Sequence, residues 1–410
     1  MAFIDLFRIN NKVKVDTPQG KKREISKAKE TLSRIRQDAQ TRKDAITEAE
    51  NVFYPFRVKL QRMYLNTAEN GFIHACLEKR MDLTLLRKWE FKNKSGEVNK
   101  EVTAIFFNEI DGKYVKKQWF ENFIKYCLDA KFYGYSLIYL GDIINGELVN
   151  TKLYPRANVS PDRFEAVQYV NMVSGVKFLT DPEYRDSYVY VATPNDYGIS
   201  PCGYGEFFWL SIYEILLRNL MVFNANYTEL NIAPFRQVKT NAQDDDRQAL
   251  YDAAVNMAST GVAVTDHTDE IIFHTSSGSG TGYIAFDNFE KRLEDKVSQI
   301  ILGHADAMKS IAGKLGNDSA DSPAQVAIRD KQTRDGDFIH DIVNNVLIPK
   351  LRANGFNIPD GVCGIMQNDN EEMDKANNFA DLAVKMQQGG LTMDGKYFTE
   401  QTNIPEIGRA

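Results

Sequence analysis

Few residues in this chain are spaced to do covalent chemistry. Asp244, Asp245 and Asp246 form a dense run of carboxylates, and hard oxygen donors of that kind could hold a divalent cation. They sit just before a stretch from Arg247 to Ala258 that reads as a helix, where acidic residues more often cap the helix and offset its dipole. Gly278, Gly280 and Gly282 are spaced like a phosphate cradle, yet they run into Tyr283-Ile284-Ala285 and not into Gly-Lys-Ser/Thr, so a flexible connector fits better. The histidines (His74, His267, His274, His304 and His340) form no His-Glu-x-x-His motif. His304 and Asp306 could act as a metal pair or as a base with its orienter, but two residues do not complete a site. Cysteines at 76, 127, 202 and 363 have neither short pairings nor companion histidines, which reads as reduced thiols and not as a disulfide framework or zinc site. No Gly-x-Ser-x-Gly elbow occurs. The expectation is a protein with no catalytic group, no metal and no cofactor. Lys309 and Lys314 remain, among Ala305, Ala307, Ser310, Ala312 and Gly313. Such a loop could simply be solvated, or it could offer compact charges to a phosphate backbone without reading bases.

The elements that flank those lysines have strong boundaries. Before them, Asp287 to Gly303 reads as an amphipathic helix. Asp287 would cap it with Glu290 three residues on, Phe289, Leu293, Val297, Ile300 and Ile301 share a face, and Gly303 would end it. After them, Ser322-Pro323-Ala324-Gln325 supplies a capping hydroxyl, a proline at the first helical position and a glutamine at the third. The helix it opens should reach about Asn354. Its first half, Arg329 to Asp337, is polar on every side and predicts a surface that faces water or bridges other bodies. Its second half carries an apolar stripe of Ile339, Ile342, Val343, Val346, Leu347 and Leu351.

Composition sets wider bounds. A chain of 410 residues has room for two or three domains, and 43% hydrophobic with 26% charged residues is ordinary for a soluble globular protein. The 24 Phe and 19 Tyr predict aromatic cores or subunit contacts. A formal charge of −6 argues against wrapping nucleic acid by bulk electrostatics, but not against a channel that DNA traverses ungripped. The most apolar stretch, Phe207 to Phe223, is interrupted by Glu214 and Arg218, so no membrane span is expected, and the opening Met-Ala-Phe-Ile-Asp-Leu-Phe-Arg has no long apolar core, so no signal peptide is expected.

Along the chain, residues 1–50 read as a basic, solvated arm with a helix over Ile25 to Glu50, and residues 66–91 as helical. Val98 to Phe107 alternates partly as a strand, and Gln118 to Lys131 as a helix. Phe132 to Leu140 is strand-like, with Glu147 to Tyr154 as its hairpin partner across Asn145-Gly146. Strands follow at about 165–171, 175–179 and 187–192, then a long helix from Glu206 to about Glu229. Next come a strand over Phe235 to Lys239, a helix over Arg247 to Ala258, and short strands over Gly261 to Thr265 and Glu270 to His274. A last amphipathic helix is expected from Glu371 to Gln388.

In this order the elements resemble the portal proteins of tailed bacteriophages, closest to the Mu-like portal group. The resemblance rests on Tyr133-Gly134-Tyr135-Ser136, the Ser160-Pro161-Asp162-Arg163-Phe164 turn, the aromatic helix from Gly205, and a small α/β insert. The charged helix ending Ile300-Ile301-Leu302-Gly303, a Gly/Ser/Ala loop and the Ala324-Gln325-Val326 helix complete it. The chain departs from the group's Leu-Gly-Gln-Thr-like turn at Leu302-Gly303-His304-Ala305. The resemblance implies an α+β, portal-like fold: an α/β wing with long stem and tunnel helices and a small α/β clip insert. It implies a basic arm (1–50), wing (51–204), first stem helix (205–229), clip (230–283), second stem helix (284–303), tunnel loop (304–321), tunnel helix (322–354) and a tail or reduced crown (355–410).

The function so implied is non-enzymatic: a ring of about twelve identical subunits at one capsid vertex, closed by head-to-tail contacts. It would be assembled in the host cytoplasm and would conduct double-stranded DNA during packaging and ejection. Implied partners are other copies of the chain, DNA in transit, a terminase motor, head-completion or adaptor proteins, and the major capsid or scaffold protein. Lys309 and Lys314 would meet phosphates transiently, and Lys291, Arg292, Glu294, Asp295 and Lys296 would divide between lumen and subunit contacts. Arg236, Lys239 and Arg247 would meet the motor at the clip. The alternatives are another head–tail connector or tail component, or a metal-dependent nuclease acting through Asp244 to Asp246.

Overall fold

The computed structural model describes residues 38–51, 53–110, 113–167, 175–194, 202–232, 235–239, 270–274, 282–308, 323–366 and 382–390, with residues 379 and 397. Among the described residues three helices come first: α1 (Ala39–Ala49), α2 (Val58–Ala68) and α3 (Gly71–Leu85). Asp38 caps α1 by accepting from the Thr41 amide at 2.7 Å. The continuous helix expected over 66–91 is broken at Asn70, whose side chain accepts from the Phe72 and Ile73 amides and so restarts the chain as α3. The chain then forms β1 (Trp89–Lys92).

The strand expected from Val98 to Phe107 is instead mostly the helix α4 (Lys100–Phe106). Asn99 accepts from the Val102 amide, and Val102, Ile105 and Phe106 all turn to the core, a helical spacing that the β-branched residues disguised. β2 (Phe107–Ile110) and β3 (Lys113–Lys116) pair as a hairpin, and α5 (Gln118–Tyr133) follows. α5 extends two residues past its expected end, so β4 (Tyr135–Tyr139) is shorter than the sequence suggested. Asn145-Gly146 does turn a hairpin, with φ of 52° and 79° as a type I′ turn needs. The strands it joins are β5 (Asp142–Ile144) and β6 (Glu147–Val149), not β4. β4 instead lies between β7 (Lys152–Leu153) and a strand farther along the chain.

β8 (Val159–Ser160), β9 (Glu165–Val167) and β10 (Gly175–Lys177) form a small antiparallel sheet. β11 (Tyr188–Ala192) then pairs with β4, Tyr188 opposite Tyr139 and Ala192 opposite Tyr135. The long α6 (Phe207–Ile232) follows, and β12 (Phe235–Lys239) pairs antiparallel with β13 (Glu270–His274). The helix and strand expected at 247–258 and 261–265 lie outside the described residues, as do most of the first 50.

α7 (Gly282–Leu302) begins five residues before Asp287, which is therefore an interior residue and not a cap. Phe286 packs against the helical core and carries the turn back past it. Gly303 ends α7 at φ 89°, as expected. α8 (Pro323–Ile342) starts at its proline and passes through a π turn (Val343–Leu347) into α9 (Ile348–Ala353). Pro349 explains the π turn: it lacks an amide hydrogen and its ring crowds the carbonyl four residues back, so the preceding turn widens. The Ile348 amide accordingly donates to Val343, five residues earlier. Asn344 is held there by donating to the Gly364 carbonyl at 2.9 Å and accepting from the Gly364 amide at 2.7 Å. Gly364 belongs to β14 (Cys363–Met366), a strand not foreseen from sequence, which pairs with β1. Near the end of the chain, residues 382–388 are helical, within the helix expected from 371 to 388.

The buried residues form three clusters. One joins α4, α5, β1 and the end of α8, with Phe91 stacked on Phe106 at 4.0 Å. A second is built from β4, β11 and their neighbours around Tyr135, Tyr139, Phe178 and Tyr188. The third gathers α2, α3, α6, α7 and the start of α8 around Tyr64, Phe207, Val297, Ile301 and Ile328.

Candidate functional site: a buried charge junction and two long helices

Two glycines bring the site together. Gly134 ends α5 at φ 90°, and a Cβ there would lie 2.4 Å from the Gly203 carbonyl oxygen. Gly205 has φ 73°, and a Cβ there would lie 2.3 Å from the Phe132 carbonyl oxygen. Only residues without a side chain let these two backbone segments cross so closely. The crossing lets the Glu206 amide donate to the Lys131 carbonyl at 3.0 Å, which sets the Glu206 carboxylate at the head of α6 beside α3.

There it meets Arg80, which is 2% exposed. The Arg80 Nη1 donates to both Glu206 oxygens at 2.9 Å and to the Ile301 carbonyl at the end of α7, also at 2.9 Å. Its Nε and Nη2 form a two-pronged pair with Asp335 of α8, at 2.7 and 2.9 Å. Lys131 of α5 adds a 2.5 Å contact to Asp335. Lys331 donates to the Ile300 carbonyl at 3.0 Å and stands 3.9 Å from Glu206. Three cations thus face two carboxylates and two carbonyls at the negative end of α7, an arrangement that the helix dipole favours. The Phe132 ring lies 5.2 Å from the guanidinium.

Burial alone would lower the Arg80 pKa, but Glu206 and Asp335 outweigh it and hold it above its ordinary value. Burial would likewise raise Asp335, yet Arg80 and Lys131 keep its carboxyl below the usual range. Burial lowers Lys331, with only partial compensation from Glu206. The junction is therefore a buried network of opposite charges, tolerable because each has close partners.

This corrects the reading of Arg329 to Asp337 as polar on every side and turned to water. Gln332, Asp335 and Gly336 are buried there, continuing the face of Ile328 and Ile339. The spacing 328, 332, 335, 336, 339 is that of an ordinary buried helical face, concealed because two of its members are polar.

From this junction α6 and α7 run antiparallel, since the head of one and the end of the other meet at a single guanidinium. At 1.5 Å per residue each extends roughly 30 Å or more. One face of the pair is covered by α2 and α3, with Phe207, Leu210, Leu217, Val297 and Ile301 buried. Among the described residues the other face is bare. Trp209, Leu216 and Phe223, seven residues apart on one face of α6, are 57%, 36% and 61% exposed, and Met221 and Val222 beside them are also exposed. On α7, Ile284 and Phe289 are exposed.

The expected stem charges lie on α7 around the buried Leu293. Lys291, Arg292 and Lys296 are exposed, and Glu294 and Asp295 half-buried. Lys296 donates to Gln299 at 3.0 Å. Arg236 and Lys239 stand on β12 opposite Phe273 and Glu270 in register. Lys309, Lys314 and Arg247, and Asp244 to Asp246, lie outside the described residues. The His304 ring accepts from the Asp306 amide at 3.1 Å, the geometry of a local turn. Among the described residues no three His, Cys, Asp or Glu side chains gather as a metal site would require, and no helix is long and apolar enough to cross a membrane. Cys76, Cys127 and Cys202 are buried and in no disulfide, and burial pushes Cys76 up to about 11, which leaves little reactive thiolate.

Residues 61–404 match the family described as the portal protein of Mu bacteriophage. The chain belongs to that family. It is a tailed-phage portal protein, of the head–tail connector class, with an α+β fold. Among solved structures, an HK97 family phage portal protein from Corynebacterium diphtheriae is similar over 61% of this chain and 80% of its own, at 13% identity and a TM-score of 0.38. No curated protein matches.

Proposed function

We propose that the chain assembles into a closed ring at one capsid vertex and conducts double-stranded DNA into and out of the head. The observation that carries this reading is the bare outer face of the α6–α7 pair. A helix face that exposes Trp209, Leu216 and Phe223 at seven-residue spacing has no cover among the described residues, and water is a poor cover for it. In a ring built by head-to-tail contacts, the next subunit supplies that cover. Family membership supports the same reading.

In this account residues 205–229 and 284–303 form the stem, with α6 packing between neighbours. The α7 charges divide: exposed Lys291, Arg292 and Lys296 meet the bore or a neighbour, and half-buried Glu294 and Asp295 balance them. Residues 51–204 form the wing, 230–283 the clip, 304–321 the tunnel loop, 322–354 the tunnel helix and 355–410 a tail or reduced crown. The clip, through Arg236, Lys239 and Arg247, receives a separate terminase motor and later the head-completion proteins. ATP hydrolysis belongs to that motor, and this chain carries no catalytic step. Lys309 and Lys314 make brief phosphate contacts, because a channel that gripped DNA would slow its passage.

The test is the mass and outline of the purified protein, by native mass spectrometry and negative-stain imaging. Rings of one size with a central hole are expected; a stable monomer at micromolar concentration would overturn the reading. Within rings, Lys309→Ala with Lys314→Ala should leave assembly intact and impair DNA retention or packaging. Unchanged packaging would remove that role from the two lysines.

A further inference from the structure

We propose that Arg80 is a positioning residue that fixes the angle between the α6–α7 pair and the rest of the subunit, and thereby fixes how many subunits close the ring. The inference rests on the portal reading above and adds a determinant of ring size.

Apolar contacts between α6, α7 and their neighbours are non-directional, so they hold the helices in place without strictly fixing their tilt. Arg80 is directional. All three guanidinium nitrogens are engaged, in a planar fork on Asp335 and in further bonds to Glu206 and the Ile301 carbonyl. One rigid plane thus sets the head of α6 and the end of α7 against α8 and α3 at the same time. Lys331 repeats the link at lower strength, from α8 to the Ile300 carbonyl. Lys79 adds another tie from α3, to the Ala307 carbonyl at 2.7 Å just beyond α7.

The magnitude makes such a device effective. A ring of about twelve turns about 30° per subunit, and one more subunit changes that by only about 2°. Over a helix pair of roughly 30 Å, that is a displacement of about 1 Å at the far tip. Loss of one planar fork at the base is a change of that order. A lysine at position 80 would keep the charge but present a point ammonium with no fixed plane.

The experiment compares wild type, Arg80→Lys and Lys331→Gln in the full-length protein. Native mass spectrometry gives the distribution of ring sizes, and thermal melting gives stability separately. The expected result is a single ring size for wild type, and for Arg80→Lys a spread over neighbouring sizes or open arcs from subunits that still melt cooperatively. Lys331→Gln, which leaves no buried charge unpaired, should broaden the distribution in the same way but less, and it decides the matter if Arg80→Lys does not fold. Uniform wild-type-sized rings from the variants, even with a lowered Tm, would mean that the junction only stabilises the fold, and would overturn the inference. Wild type that forms no ring would overturn the portal reading and this inference with it.

Discussion

The junction end and the outer face of the α6–α7 pair are made of similar residue types but meet opposite fates. At the near end, Arg80, Glu206, Asp335, Lys131 and Lys331 are buried or half-buried and matched to one another, with aromatic and aliphatic side chains packed around them. On the outer face, Trp209, Leu216, Phe223, Phe289, Lys291 and Arg292 are exposed within a single subunit. The contrast separates two tasks carried by the same helices. Contacts completed inside the chain specify the subunit, and contacts left open specify what the subunit joins.

Substitutions that strike the junction and the outer face separately test that division. The largest effect is expected from Arg80→Ala, which would strand Asp335 and Glu206 as poorly compensated buried carboxylates. Loss of one partner of a buried pair costs about 3–5 kcal/mol. Thermal melting of the soluble fraction should show a Tm lowered by several degrees, and an unchanged Tm would break the comparison at its near end. Gly205→Ala comes next. Its Cβ would meet backbone atoms at 2.3 and 2.4 Å in a left-handed conformation, at a cost of roughly 1–3 kcal/mol or more, visible as loss of soluble protein or a lowered urea midpoint.

On the outer face, Trp209→Glu with Phe223→Asp should abolish rings in native mass spectra. The melting temperature of the single subunit should move little, since exposed positions usually contribute within about 0.5 kcal/mol. A folding defect in that variant would show that the stripe serves the subunit itself.

Acid sharpens the near end further. The Asp335 carboxyl is held below its ordinary pKa, so its stabilising contribution is fully present above the unfolded-state carboxylate value of 3.8. That contribution is lost as pH falls through the lower folded-state value. Asp335→Asn should therefore lose the part of the acid-induced drop in Tm that wild type shows in this window. The smallest effect belongs to Lys296→Ala, which removes one solvent-exposed hydrogen bond to Gln299 and should leave Tm within about a degree.

Elements bounded by local chemistry were far more legible in the sequence than the buried junction. Helix ends written in local chemistry could be read directly: Pro323 opening α8, Gly303 closing α7, and Asn145-Gly146 turning a hairpin. The aromatic run from Phe207 announced a long helix. Local competition explains most errors. Asn99 made a helix of a β-branched segment, Asn70 split one helix into two, and the turns around Phe286 drew α7 back past Asp287. The junction had no local signature. Arg80 finds Glu206, Ile301 and Asp335 at separations of 126, 221 and 255 residues, and no spacing rule reaches so far. Asp335 also lay in a stretch whose polar composition argued for solvent. Only the period shared by Ile328, Gln332, Asp335 and Ile339 hinted that a face of it was buried.

The most direct test is a cryo-electron microscopy reconstruction of the assembled protein. A closed ring is expected in which Trp209, Leu216 and Phe223 are buried against the neighbouring subunit, while Arg80 keeps its bonds to Asp335 and Glu206 within each chain. A ring whose subunits touch elsewhere and leave that stripe in solvent, or a particle that is a lone subunit, would contradict the account.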